Sequence, residues 1–144
     1  MIYLIGYFDQ IDKKRTIEVA KRVLHEYSRL LNIVNHALID IDLQSRSIQT
    51  LSFSAYVNAD AALLKKIEQK DRNYEEIRSY LNKIQICINR LDFSEIELIN
   101  LRYVEGLTIA EIAKKIGNSD RHIFRRLNRM HINFAIVYGI AIKK

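Results

Sequence analysis

Very little in this chain is built to interrupt a helix. Proline is absent, and glycine occurs four times in 144 residues. Hydrophobic residues make up 49 % of the chain, which is enough apolar surface for a packed core. An all-α fold built on long helices is therefore expected. Two of the four glycines, Gly106 and Gly117, bracket one short segment, GLTIAEIAKKIG. Four arginines then follow within nine residues, from Arg121 to Arg129.

The length suits one domain or two small helical ones. The single cysteine, Cys87, excludes a disulfide within the chain and sets a cytoplasmic expectation. Among Ile84, Ile86 and Ile88 it reads as a small buried hydrophobe. Met1 to Phe8 is apolar but lacks the basic start and small-residue cleavage site of a signal peptide. Ile132 to Ile142 is apolar but much shorter than the ~20 residues of a spanning helix. No membrane association is expected. The net charge of +6 is unevenly placed. Residues 1–100 carry 14 basic and 14 acidic side chains, and residues 101–144 carry 9 and 3. The basic C-terminal part is the one suited to a polyanion.

A first helix is expected from Asp12 to Leu38. Ala20, Val23, Leu24, Tyr27, Leu30, Leu31, Val34 and Leu38 recur on one stripe. Lys13, Lys14, Arg15, Lys21 and Arg22 crowd its start as a solvated basic face. Asp40 to Asn58 is serine-rich and ends in an alternating Leu51, Phe53, Ala55, Val57 pattern, which reads as an extended connector. A second helix is expected from Asn58 to Arg90, with heptad spacing from Tyr74 that suits a seam against another helix, in the same chain or a second copy. Residues 1–91 thus read as a helical N-terminal or oligomerisation part, and 92–144 as a separate domain.

That second part has closely spaced start and stop signals. Ser94 with Glu97 matches a capping box opening a helix to Val104 or Glu105, and Gly106 stops it. Thr108 with Glu111 is a second box, opening a helix that ends at Ile116 before Gly117. Ser119 caps a third helix with Asp120 beside it. This is the grammar of a helix-turn-helix, with Gly117 supplying a positive φ at the turn. Ile112, Ala113, Ile116, Ile123 and Leu127 form the inward pattern. Asn118 stands at the turn where an apolar residue is usual. The third helix then presents Arg121, His122, Arg125, Arg126 and Arg129 away from Ile123, Leu127 and Met130. Recognition helices enter the major groove N-terminus first, so Arg121, His122 and Arg125 are placed for base edges. Arg126 and Arg129 are placed for phosphate, as are Thr108 and Ser119 at helix N-termini. The last apolar stretch is expected to continue this helix to Ile142, packing Phe134, Ile136, Val137 and Tyr138.

The run FSEIELINLRYVEGLTIAEIAKKIGNSDRHIFRRLNRM resembles region 4 of sigma factors. IDKKRTIEVAKRVLHEYSRL, at Ile11–Leu30, resembles the opening of ArpU- and RinA-type phage regulators, and INFAIVYG resembles their aromatic-containing end. These resemblances imply a sequence-specific transcriptional regulator of phage or prophage genes, such as late packaging or lysis genes. They also imply that Arg121, His122, Arg125 and Arg126 lie on the DNA-reading helix. A complete sigma factor is not expected, because the first 90 residues lack the aromatic-rich basic helix that would open promoter DNA.

The expected partners are double-stranded DNA, a second copy of the chain as a homodimer, and RNA polymerase. No cofactor or metal is expected, because the four histidines are scattered and have no cysteine cluster. An enzyme is not expected, since no phosphate-binding loop or nucleophile–base set is present. Two other readings compete. One is a packaging protein like a small terminase, using its helix-turn-helix as an oligomer. The other is a pure interaction module built on the heptad and the apolar C-terminus.

Overall fold

A computed structural model describes residues 9–50 and 61–144, and their side chains except at 35–50, 61–71 and 74. Five α-helices make up its regular structure: α1 Lys13–Thr50, α2 Ala61–Ile88, α3 Phe93–Ile99, α4 Ile109–Ile116 and α5 Asp120–Tyr138. A π-turn, Asn100–Val104, extends α3. The fold is all-α, as the scarcity of helix breakers requires.

Three stretches depart from the expected pattern. Helix α1 runs on to Thr50, through the first half of the expected connector. No proline or glycine lies between Asp12 and Asp92 to stop it, and serine is tolerated in a helix. The alternating part, Leu51 to Val57, lies outside the described residues, as does the Met1–Phe8 run. Helix α3 is capped by Asp92, not Ser94. Asp92 is extended, and its carbonyl accepts the Glu95 and Ile96 amides at 3.0 and 2.9 Å, so Ser94 falls inside the first turn. Helix α5 ends at Tyr138 instead of continuing to Ile142. There Gly139 takes φ +85°, and the Gly139 and Ile140 amides bond back to the carbonyls of Ile136 and Ala135. That pair of bonds is a Schellman stop.

The chain divides into two compact units, one joining the chain through Ser28 with Lys83–Lys144, the other Arg29–Asn82. The boundary expected at residue 91 does not coincide with this division. The first unit gathers the start of α1, the end of α2 and everything after it. Its core includes Ala20, Leu24 and Tyr27 of α1, Ile84 and Ile88 of α2, Leu98 and Ile99 of α3, and Ile123, Met130 and Phe134 of α5. The heptad seam is therefore covered within the chain at Ile84 and Ile88, and the Tyr27 hydroxyl donates to Gln85 Oε1 across it at 2.7 Å. Ile86 is exposed, and Cys87 is only half-buried.

The C-terminal residues fold back onto the start of α1. Ile11 and Lys143 form an antiparallel bridge, and the Asp12 amide donates to the Ile142 carbonyl at 2.8 Å. The fully buried Thr16 hydroxyl accepts from the Ile142 amide at 3.0 Å. These bonds pair backbone groups of Asp12 and Ile142, which lie outside the helices.

A polar stack, buried at Tyr103 and His131 and exposed at His25, ties α1, the π-turn and α5 together. The Tyr103 ring meets His25 at 5.2 Å and His131 at 5.8 Å, both near-perpendicular. Tyr103 Oη lies 2.5 Å from His131 Nε2. Burial pulls His131 down to about 4, helped by the nearby positive charge of Lys21, Arg102 and His25. Burial pushes Tyr103 up to about 12. At neutral pH both groups are uncharged, so the phenol donates and Nε2 accepts. The His131 proton then sits on Nδ1, which makes no hydrogen bond of good geometry; the Leu127 carbonyl one turn earlier only weakly favours the charged ring.

Because the unfolded chain takes up the His131 proton near pH 6.5 and the folded chain only near 4, stability is full above that window and falls as pH drops through it. The loss should be on the order of 3 kcal/mol by pH 4. His131→Gln keeps an acceptor for Tyr103 without titrating, so it should flatten this part of the pH dependence. Urea unfolding at a series of pH values would show it, and an unchanged slope in the variant would place the acid sensitivity elsewhere.

Candidate nucleic-acid interface

The turn between α4 and α5 is built from cap residues. The Thr108 hydroxyl accepts the Glu111 amide at 3.2 Å and lies 3.1 Å from Glu111 Oε1. Ile112 and Ala113 are buried one turn later. Ile116, expected to face inward, is only half-buried at the end of the helix. Gly117 has φ +84°, and its amide and that of Asn118 both bond to the Ala113 carbonyl, at 2.8 and 3.0 Å. Asn118 is exposed, so no apolar side chain is required there. Ser119 is extended, and its hydroxyl accepts the His122 amide at 3.2 Å.

This geometry sets α5 running immediately out of the turn. Ile123, Leu127, Met130 and Phe134 are buried along one face. Arg121, His122, Arg125 and Arg129 are exposed on the other, and Arg126 is half-buried. All seven of the expected contact residues therefore lie on the two cap positions or the outward side of α5, but they do not form a single group. Arg126 and Arg129 border a cleft with Asp92, Ser94, Glu95 and Leu98 of the α3 start. Arg121, His122 and Arg125 stand on the first two turns of α5. Thr108 uses both its acceptor and its proton within α4, whereas Ser119 keeps a proton to donate.

Glu95 anchors the cleft. It is buried, and its Oε1 accepts from Asn133 Nδ2 at 2.7 Å. Burial raises its pKa, the Asn133 bond and the Arg129 charge oppose that rise, and Asp92 adds to it. Sequence reading missed this pair because a glutamate one residue past a plausible cap serine looks like helix surface.

Phe124 and Asn128 were missed too. Phe124 is 49 % exposed, and Asn128 is half-buried. Their signal was available: both fall out of register with the Ile123–Leu127–Met130 stripe, at three and seven residues from Arg121.

Charge follows the same division. The Arg29–Asn82 unit carries seven basic and seven acidic residues. The unit holding the helix-turn-helix carries sixteen and ten, the whole net charge of +6. His122 is exposed and His131 buried, so they share no site. Among the described residues no cluster of His, Cys, Asp or Glu is arranged to hold a metal ion, and no helix is long and apolar enough to cross a membrane.

The family model for ECF sigma factors matches residues 11–134. The chain belongs to the ECF sigma factor family. No curated protein and no solved structure matches it. The match begins at residue 11, so the sigma likeness extends through the first 90 residues, which the sequence alone had set apart from a sigma factor. Membership gives the protein a DNA-binding role related to transcription.

Gly117→Ala tests the turn. A Cβ there would meet nothing within 4 Å, so the whole cost is that of a left-handed backbone, about 1–2 kcal/mol. Gly117→Asn should cost less, because asparagine tolerates that conformation. Denaturant midpoints for the three proteins should rank Gly, Asn, Ala. Equal midpoints would mean the turn does not depend on a positive φ.

Proposed function

We propose that this member of the family is a sequence-specific regulator of transcription that reads duplex DNA with the first turns of α5 in the major groove. One observation carries this reading. Directly after the Gly117 turn, Arg121, His122 and Arg125 stand exposed while Ile123 and Leu127, on the same turns, are buried. Arginine suits guanine because its planar fork meets O6 and N7 together. Arg126 and Arg129 hold the flanking phosphates, with Asp92 and Glu95 behind them. Ser119 adds a phosphate contact through its free proton and the amides of the helix start. Thr108, with its hydroxyl occupied, contributes backbone amides only.

RNA polymerase is the protein partner that fits a sigma-type DNA-binding unit. The likeness of Ile11–Leu30 to ArpU- and RinA-type regulators supports phage or prophage genes, including late packaging and lysis genes, as targets, and a cytoplasmic site of action. A homodimer reading two half-sites about one DNA turn apart would multiply specificity. It would have to use a surface other than the Ile84–Ile88 seam, which the chain itself covers.

Arg125→Ala should cost ~1–3 kcal/mol on the preferred duplex and relax one base position. Arg129→Ala should weaken preferred and random duplexes alike, and reduce the dependence of affinity on salt by about one phosphate contact. Titrations of both variants on both duplexes, repeated over a salt series, give the answer. Equal losses on both duplexes for both variants would contradict base reading by Arg125. They would favour DNA handling without sequence preference, as in packaging.

A further inference from the structure

Phe124 is the exposed large apolar side chain on α5 among the described residues. Its ring lies outside the buried stripe of the helix. Arg121 lies three residues before it, Arg125 next to it, and Asn128 one turn after it. Leaving an aromatic ring half in water forgoes burial that the fold could otherwise use. The neighbours of this ring are thus two arginines and an asparagine. A major groove presents hydrogen-bonding edges to both residue types, and its apolar feature is the thymine methyl group.

We infer that Phe124 is a specificity residue whose ring packs against the 5-methyl group of a thymine adjacent to the base pairs read by Arg121 and Arg125. Asn128, one turn further along the same face, is placed to pair with adenine N6 and N7. The preferred duplex therefore combines guanine with neighbouring thymine or adenine, not a run of guanines alone. This inference rests on the DNA-reading assignment of α5.

The test replaces each thymine of the preferred duplex, one at a time, with deoxyuridine. That change removes the methyl group and leaves the hydrogen-bonding edge intact. The wild-type chain should lose about fourfold in affinity at one position, the worth of one buried methyl. Phe124→Ala should bind the parent duplex more weakly by a similar factor and be indifferent to uracil at that position. Its melting temperature and salt dependence should stay as in the wild type, which separates a lost contact from a lost fold. A wild-type chain that binds its duplex specifically but ignores every substitution would overturn the inference and leave the DNA-reading assignment standing. Retained uracil sensitivity in Phe124→Ala would overturn it equally. If the chain prefers no duplex at all, the DNA-reading assignment fails and this inference with it.

Discussion

The outward face of α5 depends on the burial of its opposite face. Ile123, Leu127, Met130 and Phe134 are held in the core of the first unit, and this fixes the rotation of the helix about its own axis. A helix that could roll by one residue would turn Arg121 and Arg125 away from any groove they read. Deleting a fully buried ring such as Phe134 would cost about 3–5 kcal/mol, a large part of the stability of a small domain. The surface proposed to read bases is thus a consequence of hydrophobic packing on its far side. Two polar contacts refine the position: Glu95 with Asn133 along the flank, and Tyr103 with His131 beneath.

The helix-turn-helix was legible in the sequence because its signals are local. A glycine at the turn and hydroxyl caps at Thr108 and Ser119 act within three or four residues, so spacing alone reveals them. Ser94 with Glu97 has the same spacing, yet the cap is Asp92. There the competing candidates differ only in where the chain enters the helix, which the surrounding packing decides. The π-turn at Asn100–Val104 was not legible, since one extra residue per turn leaves no mark in side-chain type. Nor was the stop at Gly139. Reading the last apolar stretch as helix ignored that a glycine there can take a left-handed φ and send the chain back to pair with residues 10–12.

Long-range pairings were beyond sequence reading for a related reason. His131 looked like one of four scattered histidines, and its partner Tyr103 lies 28 residues away. Periodicity could place both on apolar faces but could not say that those faces meet. The same holds for the start of α1, whose apolar stripe was legible although its place in the same unit as the helix-turn-helix was not. The consequence is electrostatic as well as structural. The basic residues at the start of α1 share that unit's charge with the arginines of α5, so charge alone does not single out one DNA-binding surface. The proposal of α5 rests instead on the geometry of the turn and the exposure of the first residues of that helix.

An amide chemical-shift map of the full chain during titration with duplex DNA would separate these surfaces most directly. The account predicts that the shifts cluster at Ser119 to Asn128, with a smaller response at the α4 start and at Arg129. Shifts centred on Lys13 to Arg22 with α5 unmoved would contradict it, because DNA would then be held by the basic face of α1 and the arginines of α5 would be solvent surface.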